Sequence, residues 1–412
     1  MSEVKGFVAP GFERVAELVG TGGTRDVGGK PRSFGLGDGG GAFAAYLGGE
    51  CIVDVWAGDA APGRPWQEDT KAVVMSATKG LSALCAHLLY DRGLLDLRAP
   101  VVEYWPEFGA AGKEHTLVRH LLSHQAGAIA LPGADELLSW DGRGWSDTVT
   151  LAAAVASGAP EWEPGTRHGY HGVTFGWLVG ELVRRLSGRS LGAFLHQEVA
   201  VPLGADCRIG TPAAEHAQVA PVLEWTQSTG SPRTIDPATR AGRSVLAGAA
   251  GNLFTDEHGT PRFARFMNTP AVLSAEFGSI GATSSARGLA RVYGALAHGE
   301  ALVSRESVER VRTEEVCGRD AVMAVPTRWA VGYSLEPPAL HGDLPPQHGP
   351  SAAAFGHMGA GGQVAFADPA HGLGVAFVRN HLENQAMPLM GACLTEALYG
   401  VLDARGRTRK GS

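Results

Sequence analysis

At 412 residues and a formal charge of −7, the chain is long enough for two or three domain-sized units, or for one large enzyme core with an insertion. Hydrophobic residues at 44% and charged residues at 19% are the proportions of a folded, core-forming protein, and the acidic balance argues against binding nucleic acid through phosphate neutralisation. The one dense basic run, residues 405–410, reads as a solvated, mobile end.

Five cysteines (Cys51, Cys85, Cys207, Cys317 and Cys393) are odd in number and never spaced as Cys-x-x-Cys, which predicts reduced core thiols in a reducing compartment. Residues 1–20 carry Glu3, Lys5, Glu13, Arg14 and Glu17 and no apolar run fit for a signal sequence. No stretch of about 18–20 apolar residues occurs, so the expectation is a cytoplasmic protein with no membrane span.

Residues 10–20 predict a short helix and residues 21–40 a Gly-rich loop. Within that loop Gly35-Leu36-Gly37-Asp38-Gly39-Gly40 matches Gly-x-Gly-x-x-Gly, but it neither follows a strand nor opens a helix, so nucleotide binding is not read from it. Apolar runs at 42–47 and 51–56, separated by Gly48-Gly49, predict a β-hairpin.

Ser76-Ala77-Thr78-Lys79 comes next, followed by apolar residues at 81, 84, 85, 88 and 89. Those positions share one face of a helix, so Ser76 is expected to open a buried helix that ends near Gly93. Lys79 lies one turn from Ser76, with Cβ atoms about 5–6 Å apart. A lysine accepts a serine proton only while neutral, which desolvation can arrange. The pair suggests a serine nucleophile with a lysine base, although a serine at a helix start also serves as an N-cap.

His120 and His124 stand four apart, as zinc ligands do. Leu121 occupies the place of the glutamate in His-Glu-x-x-His and no third ligand is evident, so these histidines are read as closing a helix and shaping a turn. Residues 133–160 read as loop and helix. Pro164-Gly165-Thr166-Arg167-His168-Gly169-Tyr170-His171-Gly172 then turns into a helix with Phe175, Leu178, Val179, Leu182, Val183 and Leu186 on one face and Gly188 as its cap. Tyr170, held just before that helix, can project its hydroxyl from a fixed loop or serve as a packed aromatic.

Residues 220–262 read as a long connection, and residues 278–285 as a turn with an N-cap that opens a helix to Gly299. Residues 329–335 read as a strand, 337–354 as a Pro/Gly-rich loop, and 363–368 and 374–379 as two further strands. A closing helix carries Met390, Cys393, Leu394, Ala397, Leu398 and Val401 on one face.

Ser76-x-x-Lys79, then Tyr170, then His357-Met358-Gly359 beside a strand, resembles in order the three motifs of the serine β-lactamase and penicillin-binding-protein superfamily. Arg119-His120-Leu121-Leu122-Ser123-His124-Gln125-Ala126-Gly127, Gly281-Ala282-Thr283-Ser284-Ser285-Ala286-Arg287 and residues 170–185 are similar to its class C β-lactamase-like branch, especially the family VIII carboxylesterases. The resemblance spans most of residues 40–400. It implies an α+β, β-lactamase-like fold of class C type. In that fold an antiparallel sheet flanked by helices is built from 1–92 and 277–412, a mostly helical domain is inserted at 93–276, and the site lies between them.

The resemblance also implies roles. Ser76 would form an acyl-enzyme, while Lys79 and Tyr170 share the work of taking its proton and returning it to the leaving group. The main-chain N–H groups of Ser76 and Ala360 would make the oxyanion hole, with His357 and Gly359 beside the substrate, and neither metal nor organic cofactor is expected. Two departures set the substrate class. The second motif, Tyr170-His171-Gly172, lacks the asparagine usual two residues after the tyrosine, and His357 replaces the usual lysine that helps hold a carboxylate. A histidine of ordinary pKa about 6.5 is mostly neutral at pH 7, which favours uncharged small-molecule esters over antibiotics or cell-wall peptides. No Gly-x-Ser-x-Gly element offers a different nucleophile.

The expected function is therefore a carboxylesterase for short or medium acyl esters. The alternatives are an acyltransferase using the same acyl-enzyme, or a weak β-lactamase or D-amino-acid peptidase. A non-catalytic binding protein of the same fold would be favoured by loss of Ser76, Lys79 or Tyr170, and all three are present.

Overall fold

The computed structural model describes residues 3–223, 262–299, 302–337, 345–382 and 389–410, with side chains as far as 404. The connection expected over 220–262 lies almost wholly outside these residues, as does part of 337–354. Six strands make the path of the main sheet: β1 (Lys5–Val8), β2 (Gly40–Leu47), β3 (Glu50–Ala61), β4 (Phe355–Gly359), β5 (Gln363–Asp368) and β6 (Leu373–Arg379). Their order is β1-β3-β2-β6-β5-β4, every pair antiparallel, and the two-residue strand Arg64–Pro65 adds to β3. The seam between β2 and β6, from Gly41 opposite Arg379 to Leu47 opposite Leu373, joins the two ends of the chain.

Side chains alternate across the sheet with period two, and the two faces are built differently. On one face Phe43, Ala45, Val53, Val55, Val364, Phe366, Val375 and Phe377 form a core with α1 (Glu13–Thr21) and with Met390, Leu394 and Leu398 of the closing helix. Full burial of a phenylalanine such as Phe43 or Phe377 contributes about 1.5–3 kcal/mol. The other face is lined by small residues, Ala42, Ala44, Ala365, Ala367 and Ala376, with Val378. Small side chains let helices approach the sheet closely. A Cβ on Gly374 would lie 2.1 Å from the nitrogen of Gly294, in the helix α4 (Ala286–His298). Ser285 caps α4 as expected, accepting from the Gly288 N–H.

Between the sheet and the helical middle of the chain runs α2 (Thr78–Asp91), in which every residue from Thr78 to Leu89 is buried. Up to Leu89 it has no solvent face, which goes beyond the one apolar stripe read from the sequence. Gly80 and Ala83 explain how it fits: a Cβ at Gly80 would meet the Tyr293 hydroxyl at 2.1 Å, and the hydroxyl of Tyr333 donates to the Gly80 carbonyl. The periodic helix α3 (Thr174–Ser187) ends at Gly188 with φ +70°. The closing helix, α5 (Met390–Lys410), runs through the basic run 405–410, so that segment continues a helix instead of leaving it.

Three other expectations are corrected. The 21–40 loop contains a hairpin, Gly23–Asp26 against Pro31–Phe34, which its polar side chains concealed. Only Trp329 of the strand expected at 329–335 is in one: Pro326–Trp329 pairs with Val316–Arg319, and the chain then turns at Gly332, φ +94°. Cys85, Cys207 and Cys393 are buried, but Cys317 is exposed and so is no core thiol. Among the described residues no helix is long and apolar enough to cross a membrane.

Candidate active site

A short strand, Lys71–Val73, delivers the chain to Ser76 and is paired on both sides, with Val219–Ala220 and with Thr283–Ser284. The chain on either side of the serine is fastened as well. The Val74 N–H donates to the Ala282 carbonyl at 2.9 Å, and the Ala282 N–H donates to Thr78 Oγ1 at 3.0 Å. Held from both sides, the chain turns sharply: Met75, buried, adopts φ +50°, a left-handed conformation that costs roughly 1–2 kcal/mol outside glycine. Ser76 therefore sits in a single 3₁₀ turn, Met75–Ala77, and α2 begins at Thr78 rather than at the serine.

Lys79 projects from the first turn of α2 and is fully buried. Its Nζ donates to two carbonyls, Gly172 at 2.9 Å and Ser279 at 3.0 Å, and lies 3.5 Å from Ser76 Oγ. Burial holds its pKa well below the usual lysine range, favouring the neutral amine. A neutral amine has two hydrogens and one lone pair. With both hydrogens on carbonyls, the lone pair is left to accept from a hydroxyl, and Ser76 Oγ lies within reach.

Tyr170 lies across the same point. Lys79 Nζ is 4.7 Å from its ring centroid, and Trp329 stacks on the ring at 5.7 Å and 13°. Burial pushes its hydroxyl well above the usual tyrosine pKa, partly offset by a hydrogen bond with Ser76. The raised pKa favours the protonated phenol, as the lowered one favours the neutral amine.

On the sheet side, β4 carries His357 and Gly359. Gly359 has to be small: a Cβ there would lie 2.4 Å from the Val74 carbonyl and 3.1 Å from the Met75 Cβ. Ala360, the next residue, is exposed, and Gln363 Nε2 ties the same corner to the Val73 carbonyl at 3.2 Å. His357 is buried, with its Nδ1 2.7 Å from the Met358 carbonyl. A carbonyl only accepts, so the ring proton is on Nδ1. Burial, the largest cause, lowers its pKa to about 3, so the ring is neutral.

His124 and His171 pack into the framework around Tyr170. His124 adopts φ +62° and its Nδ1 accepts from the His171 N–H at 3.2 Å, while its ring packs on Tyr170, Phe175 and Trp329. His171 Nδ1 bonds the Gly169 carbonyl. Among the described residues no group of three or more His, Cys, Asp or Glu is arranged to hold a metal ion. Sequence reasoning overlooked Ser279, Asp320 and Trp329. Each reaches the site from far along the chain, and none sits in a motif that marks it.

A family model described as Beta-lactamase matches residues 35–392. The chain is 35% identical over 353 residues to the esterase/beta-lactamase LipL of Mycobacterium tuberculosis, covering 84% of this chain and 77% of that protein. Among solved structures it is similar to a family VIII carboxylesterase, at TM-score 0.79 and 32% identity over 97% of this chain and all (100%) of the other. It is also similar to a penicillin-binding protein homologue from Caulobacter crescentus, at TM-score 0.78 and 33% identity over 97% and 100% of the two chains.

Proposed function

The chain belongs to the beta-lactamase family, as a serine hydrolase of the esterase/beta-lactamase kind, and from that premise we propose that it is a carboxylesterase for uncharged short or medium acyl esters. In this reading Ser76 Oγ gives its proton to the neutral Lys79 amine as it attacks the ester carbonyl. The developing oxyanion is received by the main-chain N–H groups of Ser76 and Ala360. Tyr170 gives its proton to the departing alcohol and is reprotonated from Lys79. Water then enters by the reverse path, releases the acid and restores Ser76. No metal or organic cofactor takes part. The division into 1–92 with 277–412, against a helical 93–276, and a cytoplasmic location belong to the same reading.

One observation carries it: a fully buried lysine whose two nearer partners are carbonyls and whose third neighbour, at 3.5 Å, is Ser76 Oγ. The neutral His357 supports the substrate class, because it offers no cation to a carboxylate.

The test is turnover of p-nitrophenyl acetate and butyrate beside a Ser76→Ala variant, with mass spectrometry of the acylated protein. Hydrolysis with an adduct on Ser76, both absent from a folded variant, is expected, with a loss of about 10³-fold or more. Turnover that survives the substitution, or an adduct on another residue, would sink the reading. Adding alcohols or amines separates hydrolysis from acyl transfer: an esterase forms free acid at an undiminished rate, and a transferase diverts it into new ester or amide.

A further inference from the structure

Asp320 is 1% exposed, and among the described residues no cation pairs with it. Its carboxylate is instead spent on four donors. Oδ1 accepts from the main-chain N–H groups of Tyr170 at 3.1 Å, Val322 at 2.8 Å and Met323 at 2.8 Å. Oδ2 accepts from the Thr327 hydroxyl at 3.3 Å. That hydroxyl oxygen in turn accepts from Trp329 Nε1 at 3.0 Å and lies 2.9 Å from His168 Nε2. The indole so oriented is the one stacked on the Tyr170 ring. Only a group that accepts and never donates fits the centre of this arrangement.

We propose that Asp320 is a positioning residue for Tyr170, gripping its main chain directly and its ring through Thr327 and Trp329, and so fixing the phenol at Ser76. The inference rests on the reading of Tyr170 as the proton carrier. The two grips act on opposite ends of one residue. With the main-chain nitrogen held, the ring can still swing about its side-chain torsions, and the stacked indole removes that freedom. A phenol held at one position donates without first being ordered, which is where a displacement of about 1 Å can cost on the order of 10²-fold in rate. The neighbouring main chain is bound into the same unit: the Ala321 N–H donates to the His168 carbonyl at 3.0 Å, and the Asp320 N–H to the Val325 carbonyl at 2.9 Å.

The test uses the full chain with Asp320→Asn, Thr327→Val, Thr327→Ser, Tyr170→Phe and the Thr327→Val/Tyr170→Phe double variant. Steady-state kinetics on p-nitrophenyl butyrate and thermal midpoints are measured for each. Asp320→Asn keeps an acceptor for the three amides and loses the one for Thr327. Thr327→Val cuts only the arm to the ring. Each is expected to lower kcat about tenfold with KM within about twofold, and Thr327→Ser to restore kcat. Because the effect passes through the phenol, Thr327→Val should cost nothing further once Tyr170 is phenylalanine.

Unchanged kcat in Thr327→Val, while Tyr170→Phe is crippled, overturns the positioning role and leaves the tyrosine reading standing. An equal loss in both backgrounds overturns it too, since that marks general disruption. If Tyr170→Phe itself keeps full kcat, the reading beneath the proposal has failed. Should Asp320→Asn not fold, the Thr327 pair decides alone.

Discussion

The two halves of the site are held in opposite ways. Ser76 and Lys79 belong to one continuous piece of chain, a short paired strand, a tight turn and a helix buried on every side up to Leu89, and their positions follow from secondary structure and packing. Tyr170 sits on a loop, and its position follows from hydrogen bonds and ring stacking to residues 320–329. The first half is fixed by local geometry and the second by long-range polar contacts. Damage to the first should therefore appear in stability as well as activity, and damage to the second mainly in activity.

The sharpest way to break that contrast is Lys79→Met. Loss of the base should lower kcat by about 10³-fold, read on p-nitrophenyl butyrate. The same substitution carries a signature in stability. Because burial depresses the folded-state pKa of Lys79, the unfolded chain binds a proton there that the folded chain does not, at every pH from that depressed value up to the ordinary one near 10.4. Folding stability should therefore rise as pH increases toward about 10, and part of that rise should vanish in Lys79→Met, whose other groups titrate as before. Parallel thermal midpoints across the range would refute the depressed pKa.

Gly359→Ala tests the corner where the sheet meets the Ser76 turn. A methyl group 2.4 Å from the Val74 carbonyl has to displace one chain or the other. We expect a loss of about 1–3 kcal/mol in urea unfolding and a fall of about tenfold in kcat. A variant of unchanged stability and rate would show that the corner has slack.

Smaller effects probe the second half. His357, with a pKa near 3, holds no charge across the range where a histidine normally titrates. KM for a neutral ester should accordingly stay flat between about pH 5 and pH 8, and an ester bearing a carboxylate should bind no better at the acid end. A KM that tracks an ordinary histidine titration would contradict a buried, neutral ring. The least effect is expected at Cys317. It lies on the strand just before Asp320 and is exposed, so iodoacetamide should modify it before the four other cysteines and leave activity within about twofold. A large loss would mean that the Asp320 loop is far less firmly held than its hydrogen bonds indicate.

The same contrast explains what the sequence disclosed. Ser76, Lys79 and α2 were legible because a three-residue spacing and an apolar helix are local patterns. The strands at 42–47, 51–56, 363–368 and 374–379 were legible from their runs of apolar residues between turns, and Gly188 and Ser285 marked helix ends by known backbone and side-chain preferences. Asp320 and Ser279 were not legible, since nothing in their immediate neighbours distinguishes a carboxylate or a carbonyl that reaches a distant loop. The hairpin at 23–34 was missed because its exposed polar residues lack an apolar face, and the 329–335 reading failed where Gly332 turns the chain against Ala83.

The seam between β2 and β6 has a consequence for how the chain is made. At about 5–20 residues per second, on the order of tens of seconds separate the synthesis of β2 from that of β6. Through that interval Phe43 and Ala45 have no neighbouring strand on the β6 side, and the amides of residues 41–47 present an open edge of the kind that recruits other chains. A message truncated after Lys79 but before residue 373 would yield a polypeptide that contains the nucleophile and its base but keeps that edge permanently uncovered, so such fragments should be found with chaperones or in aggregates.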